Sequence, residues 1–194
     1  MLVKSLNRRT FMTGTAAVAA TAIATPALSH SAPQQFQVPE QFKAQIVRVN
    51  SDLPANQIFI KMPTYHLYYT LGDGTAVRYG VALGKEGLKF RGTATVERKV
   101  EWPSWTPTQD MIARDPSYAK YENGMPGGPT NPLGARALYL YDANGRDTLF
   151  RIHGTTDPSS IGKSVSNGCI RMYNSHVKDL YDRVQLGTRV TATG

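Results

Sequence analysis

The chain contains a single cysteine, Cys169, and four histidines, one of which, His153, lies sixteen positions before it. The segment between them is rich in Gly, Ser, Thr and Pro and can fold back to bring the two side chains together. A thiol becomes a strong nucleophile when an imidazole takes its proton or a positive field lowers its pKa. Of the other imidazoles, His30 falls in a polar linker, His66 lies in an aromatic run as a core or surface residue, and His176 opens a helix as a solvated side chain. His153 follows an apolar run and precedes Gly154, a position from which a side chain projects into a cleft. Beside the cysteine, the amides of Gly168 and Cys169 can face a developing oxyanion. In an extended segment Arg171 shares a face with Cys169, where its planar fork suits a carboxylate.

Other chemistries fit less well. One cysteine cannot form an internal disulfide, so it is either a reactive thiol or a small buried apolar residue, and both readings stand on the residues alone. A metal site needs three or four ligands, and one Cys with scattered His supplies no such set, so neither metal nor cofactor is expected. No Gly-x-Ser-x-Gly elbow and no phosphate-binding loop occurs.

The elements that must position the pair are short. Apolar and aromatic runs at residues 45–49, 57–61, 65–69, 76–83, 93–100, 137–141, 148–152 and 188–193 are broken by Gly, Pro, Asn and Asp, and read as strands. Asn144-Gly145 marks a hairpin between two of them. A short helix is expected over 109–114, capped by Thr108 and stopped by Asp115-Pro116. A second is expected over 176–185, where Val177, Leu180, Tyr181 and Val184 recur at helical spacing, with Asn174 or Ser175 as cap and Gly187 beyond. Residues 122–135 hold four glycines and three prolines and read as a functional lid or wall. The sum is a mainly β domain with about two short helices.

The formal net charge is +8. Lys4, Arg8 and Arg9 belong to residues 1–29, whose basic start, apolar middle and small residues near the end read as a cleavable signal peptide. Without those three charges about +5 remains, scattered and lacking the stripe that nucleic acid would require. The Arg8-Arg9 pair followed by Phe11 resembles a twin-arginine export signal, so the destination is the periplasm, with no membrane span left after processing. Residues 30–55 are read as a linker or N-terminal arm and residues 56–194 as the catalytic domain.

The stretch His153-Gly154-Thr155, the twelve residues Gly154 to Val165, and Ser166-Asn167-Gly168-Cys169-Ile170-Arg171-Met172 together resemble the signature of L,D-transpeptidase catalytic domains. Trp102-Pro103-x-Trp105-x-Pro107 and Asn131-Pro132-Leu133-Gly134-Ala135-Arg136-Ala137 extend the resemblance over residues 56–193. It implies packed or partly closed β-sheets and chemistry on peptidoglycan stem peptides without ATP. In matching positions Cys169 would be the nucleophile and His153 the general base. The Gly154 carbonyl would orient the imidazole, Gly168 would lend an oxyanion donor, and Arg171, Asn167 and Ser166 would contact substrate. The acceptor would be a second stem or an envelope protein. Hydrolysis of the same acyl-enzyme, as in an L,D-carboxypeptidase or amidase, and a weakly active peptidoglycan-binding module are the alternatives. Two positions depart from the family pattern: Asn167 stands where a second His is usual, and Lys89-Phe90-Arg91-Gly92 where Thr-Pro-x-Gly is common.

Overall fold

A computed structural model of the protein describes residues 36–194. The signal peptide expected over 1–29 and the first residues of the arm lie outside the described residues. Among the described residues no helix is long and apolar enough to cross a membrane.

Among the described residues, ten strands and two α-helices follow one another. The strands are β1 (Gln45–Arg48), β2 (Ile58–Lys61), β3 (His66–Thr70), β4 (Thr75–Gly84), β5 (Gly92–Glu101), β6 (Arg136–Tyr141), β7 (Asp147–His153), β8 (Ser164–Ser166), β9 (Ile170–Met172) and β10 (Thr188–Thr193). Helix α1 (Gln109–Arg114) separates β5 from β6, and α2 (Asn174–Arg183) separates β9 from β10. The hydrogen-bonded order is β1-β4-β3-β2-β10-β5-β6-β7-β9, and β9 pairs again with β4. The sheet therefore closes on itself, as the expected partly closed β architecture requires.

Alternation along the strands fills the interior. Ile58 and Ile60 of β2, Leu67 and Tyr69 of β3, and Leu138 and Leu140 of β6 are all buried. Val177 and Leu180 of α2, with Val184 just past its end, join the same cluster. Fully burying a side chain of this size contributes about 1.5–3 kcal/mol, which is why a helix of only ten residues stays docked.

The eight expected strands form with ends shifted by a residue or two. Two further strands flank Cys169, β8 inside the Gly/Ser/Thr segment before it and β9 directly after it. Helix α1 spans the expected residues, with Thr108 Oγ1 accepting from Met111 N at 3.2 Å. Asp115 ends α1 and also starts the 3-10 segment Pro116–Tyr121, its Oδ1 accepting from Ser117 N at 3.0 Å.

Two expectations at α2 are corrected. The helix starts at Asn174 without a side-chain cap. His176 is buried rather than solvated, set against the rings of Tyr79 and Tyr173. The wet face of α2 instead carries Asp179 and Arg183, joined at 2.9 Å. Of the arm, β1 runs along β4, and the Phe42 ring fills space that side chains at Gly80 and Gly162 would claim.

Candidate active site

β7 and β9 lie parallel, with Ile152 opposite Ile170 and His153 opposite Arg171. The same register carries Arg151 to the side of Cys169, just before β9. Four side chains thus occupy one face: Arg151 and His153 from β7, Cys169 and Arg171 from the returning segment. The sixteen positions between His153 and Cys169 are therefore spanned by a crossover that pairs both ends with β-strands, not by a free loop.

His153 is buried at the end of β7. Its Nδ1–H donates to the Gly154 carbonyl at 2.6 Å, which leaves Nε2 as the basic nitrogen. Burial pushes its pKa down to about 3, aided by the Arg171 guanidinium, while the nearby Gly154 and Leu133 backbone carbonyls oppose the shift. Burial also pushes the Cys169 thiol up, against the Arg151 amide and the charges of Arg151 and Arg171. The resting pair is a neutral thiol and a neutral imidazole. Both border one cavity of about 250 Å³ without a hydrogen bond between them. The thiol instead donates to the Leu149 carbonyl, 3.8 Å away.

That carbonyl is aimed by an unusual backbone. Leu149 holds φ at +63°, a left-handed conformation that costs an L-residue about 1–2 kcal/mol. Asp147 offsets part of this: its Oδ1 accepts Leu149 N at 2.8 Å and Arg151 Nη1 at 2.6 Å. The Arg151 guanidinium also lies over the Tyr139 ring, 4.2 Å from its centroid. Neither Leu149 nor Arg151 is assigned a role by the sequence reading, because a left-handed leucine leaves no signal in a one-dimensional pattern.

The cavity wall comes from residues far away in sequence. Trp105 stands edge-on to Tyr118 and Tyr121, with centroids 5.5 and 5.7 Å apart, and exchanges backbone hydrogen bonds with Met125. The buried Asn131 side chain donates to the Met125 and Pro126 carbonyls and accepts from Leu133 N. So the Gly/Pro-rich residues 122–135 form a fixed wall, and Met125, Thr130, Pro132 and Leu133 line it. Asn174, at the start of α2, ties this wall to the catalytic strand. Its Oδ1 accepts Ala135 N and its Nδ2 donates to the Thr155 carbonyl, each at 3.0 Å. Gly134 and Gly154 are needed there, since a Cβ on either would fall within 2.3 Å of Asn174 Oδ1.

Two residues named from the sequence, Ser166 and Gly168, are tied into the turn that carries the nucleophile. Ser166 is buried, and its hydroxyl accepts Gly168 N at 3.2 Å and donates to the Cys169 carbonyl at 2.6 Å. It braces the nucleophile's turn while also bordering the cavity. The Gly168 amide is thereby taken, and the Cys169 amide is left as the donor without a side-chain partner. A Cβ at Gly168 would lie 3.1 Å from both the Leu88 carbonyl and the Phe150 ring, so the turn is closely packed on that side. Arg171 and Asn167 do line the cavity. Among the described residues Arg171 has no ion-pair partner, and no three His, Cys, Asp or Glu side chains gather to hold a metal ion.

Comparison with known proteins places this arrangement. The family model described as the YkuD L,D-transpeptidase catalytic domain matches residues 55–191. Among curated relatives, the Probable L,D-transpeptidase ErfK/SrfK of Escherichia coli (strain K12) is 36% identical over 165 residues, covering 81% of this chain and 46% of that protein. The chain spans about half the length of the first curated relatives it matches. A solved structure from Brucella melitensis, named as a probable carnitine operon oxidoreductase caia, is 51% identical with a TM-score of 0.55 over 78% of this chain and 92% of that one. An L,D-transpeptidase from Mycobacterium smegmatis, 18% identical with a TM-score of 0.50 over 71% of this chain and 58% of that one, shares the fold. The match over most of the chain, on the strands that hold Cys169 and His153, means that the protein belongs to the L,D-transpeptidase catalytic-domain family.

Proposed function

We propose that the protein is a periplasmic L,D-transpeptidase that acts on peptidoglycan stem peptides through a thioester on Cys169. The observation that carries this reading is the shared cavity of Cys169, His153 and Arg171, with the imidazole fixed by the Gly154 carbonyl so that Nε2 is free to take a proton. Cys169 swings from Leu149 toward His153 and gives its proton to Nε2 as sulfur attacks the carbonyl at the L-centre of a diamino acid, typically meso-diaminopimelate. The oxyanion forms against the Cys169 amide; one such donor is worth about 3–4 kcal/mol in the transition state. Collapse breaks the C–N bond, and His153 returns the proton to the departing D-alanine amine. An amine from a second stem peptide or an envelope protein then attacks the thioester, gives a proton to His153, and the thiolate recovers it.

The positive charge of Arg171 serves twice. It keeps His153 neutral and ready to accept a proton, and it can hold the carboxylate of the D-alanine that leaves. Asn167 offers hydrogen bonds at the rim but cannot titrate, so proton transfer rests on His153 alone. Export by the twin-arginine route would deliver the enzyme folded.

The test uses purified protein and Cys169→Ala with muropeptides, with and without an amine acceptor. Cross-linked or amine-exchanged product from the wild type alone is the expected outcome. Release of D-alanine without transfer would make the protein a hydrolase. Unchanged muropeptides with wild type and variant alike would remove the enzymatic reading.

A further inference from the structure

A second hollow of about 250 Å³ meets the first at Cys169, with Met111 and Asn167 also in both walls. His153 borders only the first. Proton transfer fixes what each can hold. The imidazole must protonate the leaving amine and deprotonate the incoming one, so both amines occupy the His153 side. The part of the donor that stays bonded to sulfur must extend the other way, past Gly168 into the second hollow.

The lining of that hollow combines apolar and charged side chains. Leu88, Leu149 and Phe150 border it, as do Asp110 and Arg114 of α1. Asp110 and Arg114 are four residues apart, hence on one face of the helix. Among the described residues neither makes a salt bridge or a side-chain hydrogen bond, whereas the neighbouring Lys89 is held by Glu86 at 2.7 Å. A free carboxylate and a free guanidinium one turn apart, in a hollow also lined by apolar side chains, complement a short alkyl chain that ends in an amino-acid centre.

We propose that this hollow is a subsite for the far end of the donor's diamino acid, with Asp110 reading its ammonium and Arg114 its carboxylate. The assignment rests on the stem-peptide reading above and adds how the donor is selected. A diamino acid whose side chain ends in both groups engages both residues; lysine, which ends in an ammonium alone, engages only Asp110.

Two synthetic tetrapeptides that differ only at the third residue, meso-diaminopimelate or L-lysine, provide the test, with D-alanine release as readout. The wild type is expected to favour the diaminopimelate peptide by about tenfold or more in kcat/KM, the scale of one charge-assisted contact. Arg114→Met should raise KM for that peptide by a similar factor at nearly constant kcat, and leave the lysine peptide unchanged. Asp110→Asn should weaken both. Both side chains are exposed, so folding is expected to persist, and thermal melts check it; Arg114→Gln replaces Arg114→Met if that protein melts early. Equal use of the two peptides by the wild type, or an undiminished preference in both Arg114 variants, overturns the subsite while D-alanine release leaves the proposed function standing. No release from either peptide by the wild type overturns the proposed function and the subsite with it.

Discussion

At the scale of single residues, the nucleophile and its base are held uncharged by burial, and the charge separation that catalysis needs comes later. A displaced water shell or a bound substrate must bring Sγ and Nε2 together, which fits catalytic contacts that tighten only in the complex. The same burial has a price in acid. The folded His153 titrates at about 3, below the ordinary imidazole value, so the unfolded chain takes up this proton first. Stability from this residue is full above about pH 6.5 and is lost as pH falls from there toward about 3. His176, also lowered by burial, acts in the same direction. Thermal melts should show Tm falling through this window, with a shallower fall for His153→Gln. Parallel curves for the two proteins would show that the imidazole is not held neutral by the fold.

At the scale of elements, the site depends on contacts that no local pattern announces. Asn174 joins the wall before β6 to the loop after β7 through two hydrogen bonds, and it does so from the first turn of α2. Asn174→Ala leaves the Ala135 amide and the Thr155 carbonyl without those partners, which should cost about 1–3 kcal/mol in urea unfolding. Activity should fall further than stability, because the same clip sets the distance from the Leu133 wall to His153. A loss confined to stability would demote Asn174 to a packing role. The strands that are apolar and aromatic runs with Gly/Pro/Asn boundaries, such as β4 and the β6–β7 hairpin, are legible in the sequence. β8 and β9 are not, since three residues apiece of mixed polarity become strands only by pairing with β4 and β7. The site was half legible: residue type and spacing single out Cys169 and His153, and Arg171 follows from extended geometry. The bracing role of Ser166 and the part played by Leu149 depend on hydrogen-bond direction and a backbone angle, which residue identity does not encode. His176 misleads for a similar reason. A helix start reads as wet in one dimension, and only the fold sets Tyr79 and Tyr173 against its ring.

At the scale of the whole molecule, closure of the sheet joins the two ends of the domain. β10 lies between β2, with which it is parallel, and β5, with which it is antiparallel. Deleting residues 188–194 would remove Val190 from the core and leave two strand edges without partners. The shortened chain is expected to lose its near-UV circular dichroism and to aggregate; retention of a sharp thermal transition would show that the remaining strands suffice.

The position of β10 also sets the order in which the sheet can close. β2 and β5 are not neighbours in the sheet, and β10, which follows both in the chain, fills the gap between them. The facing edges of β2 and β5 therefore stay open until β10 docks. Closure waits on contacts between segments far apart in the chain, the kind of pairing that makes folding slow and leaves strand edges open to association with other chains on the way.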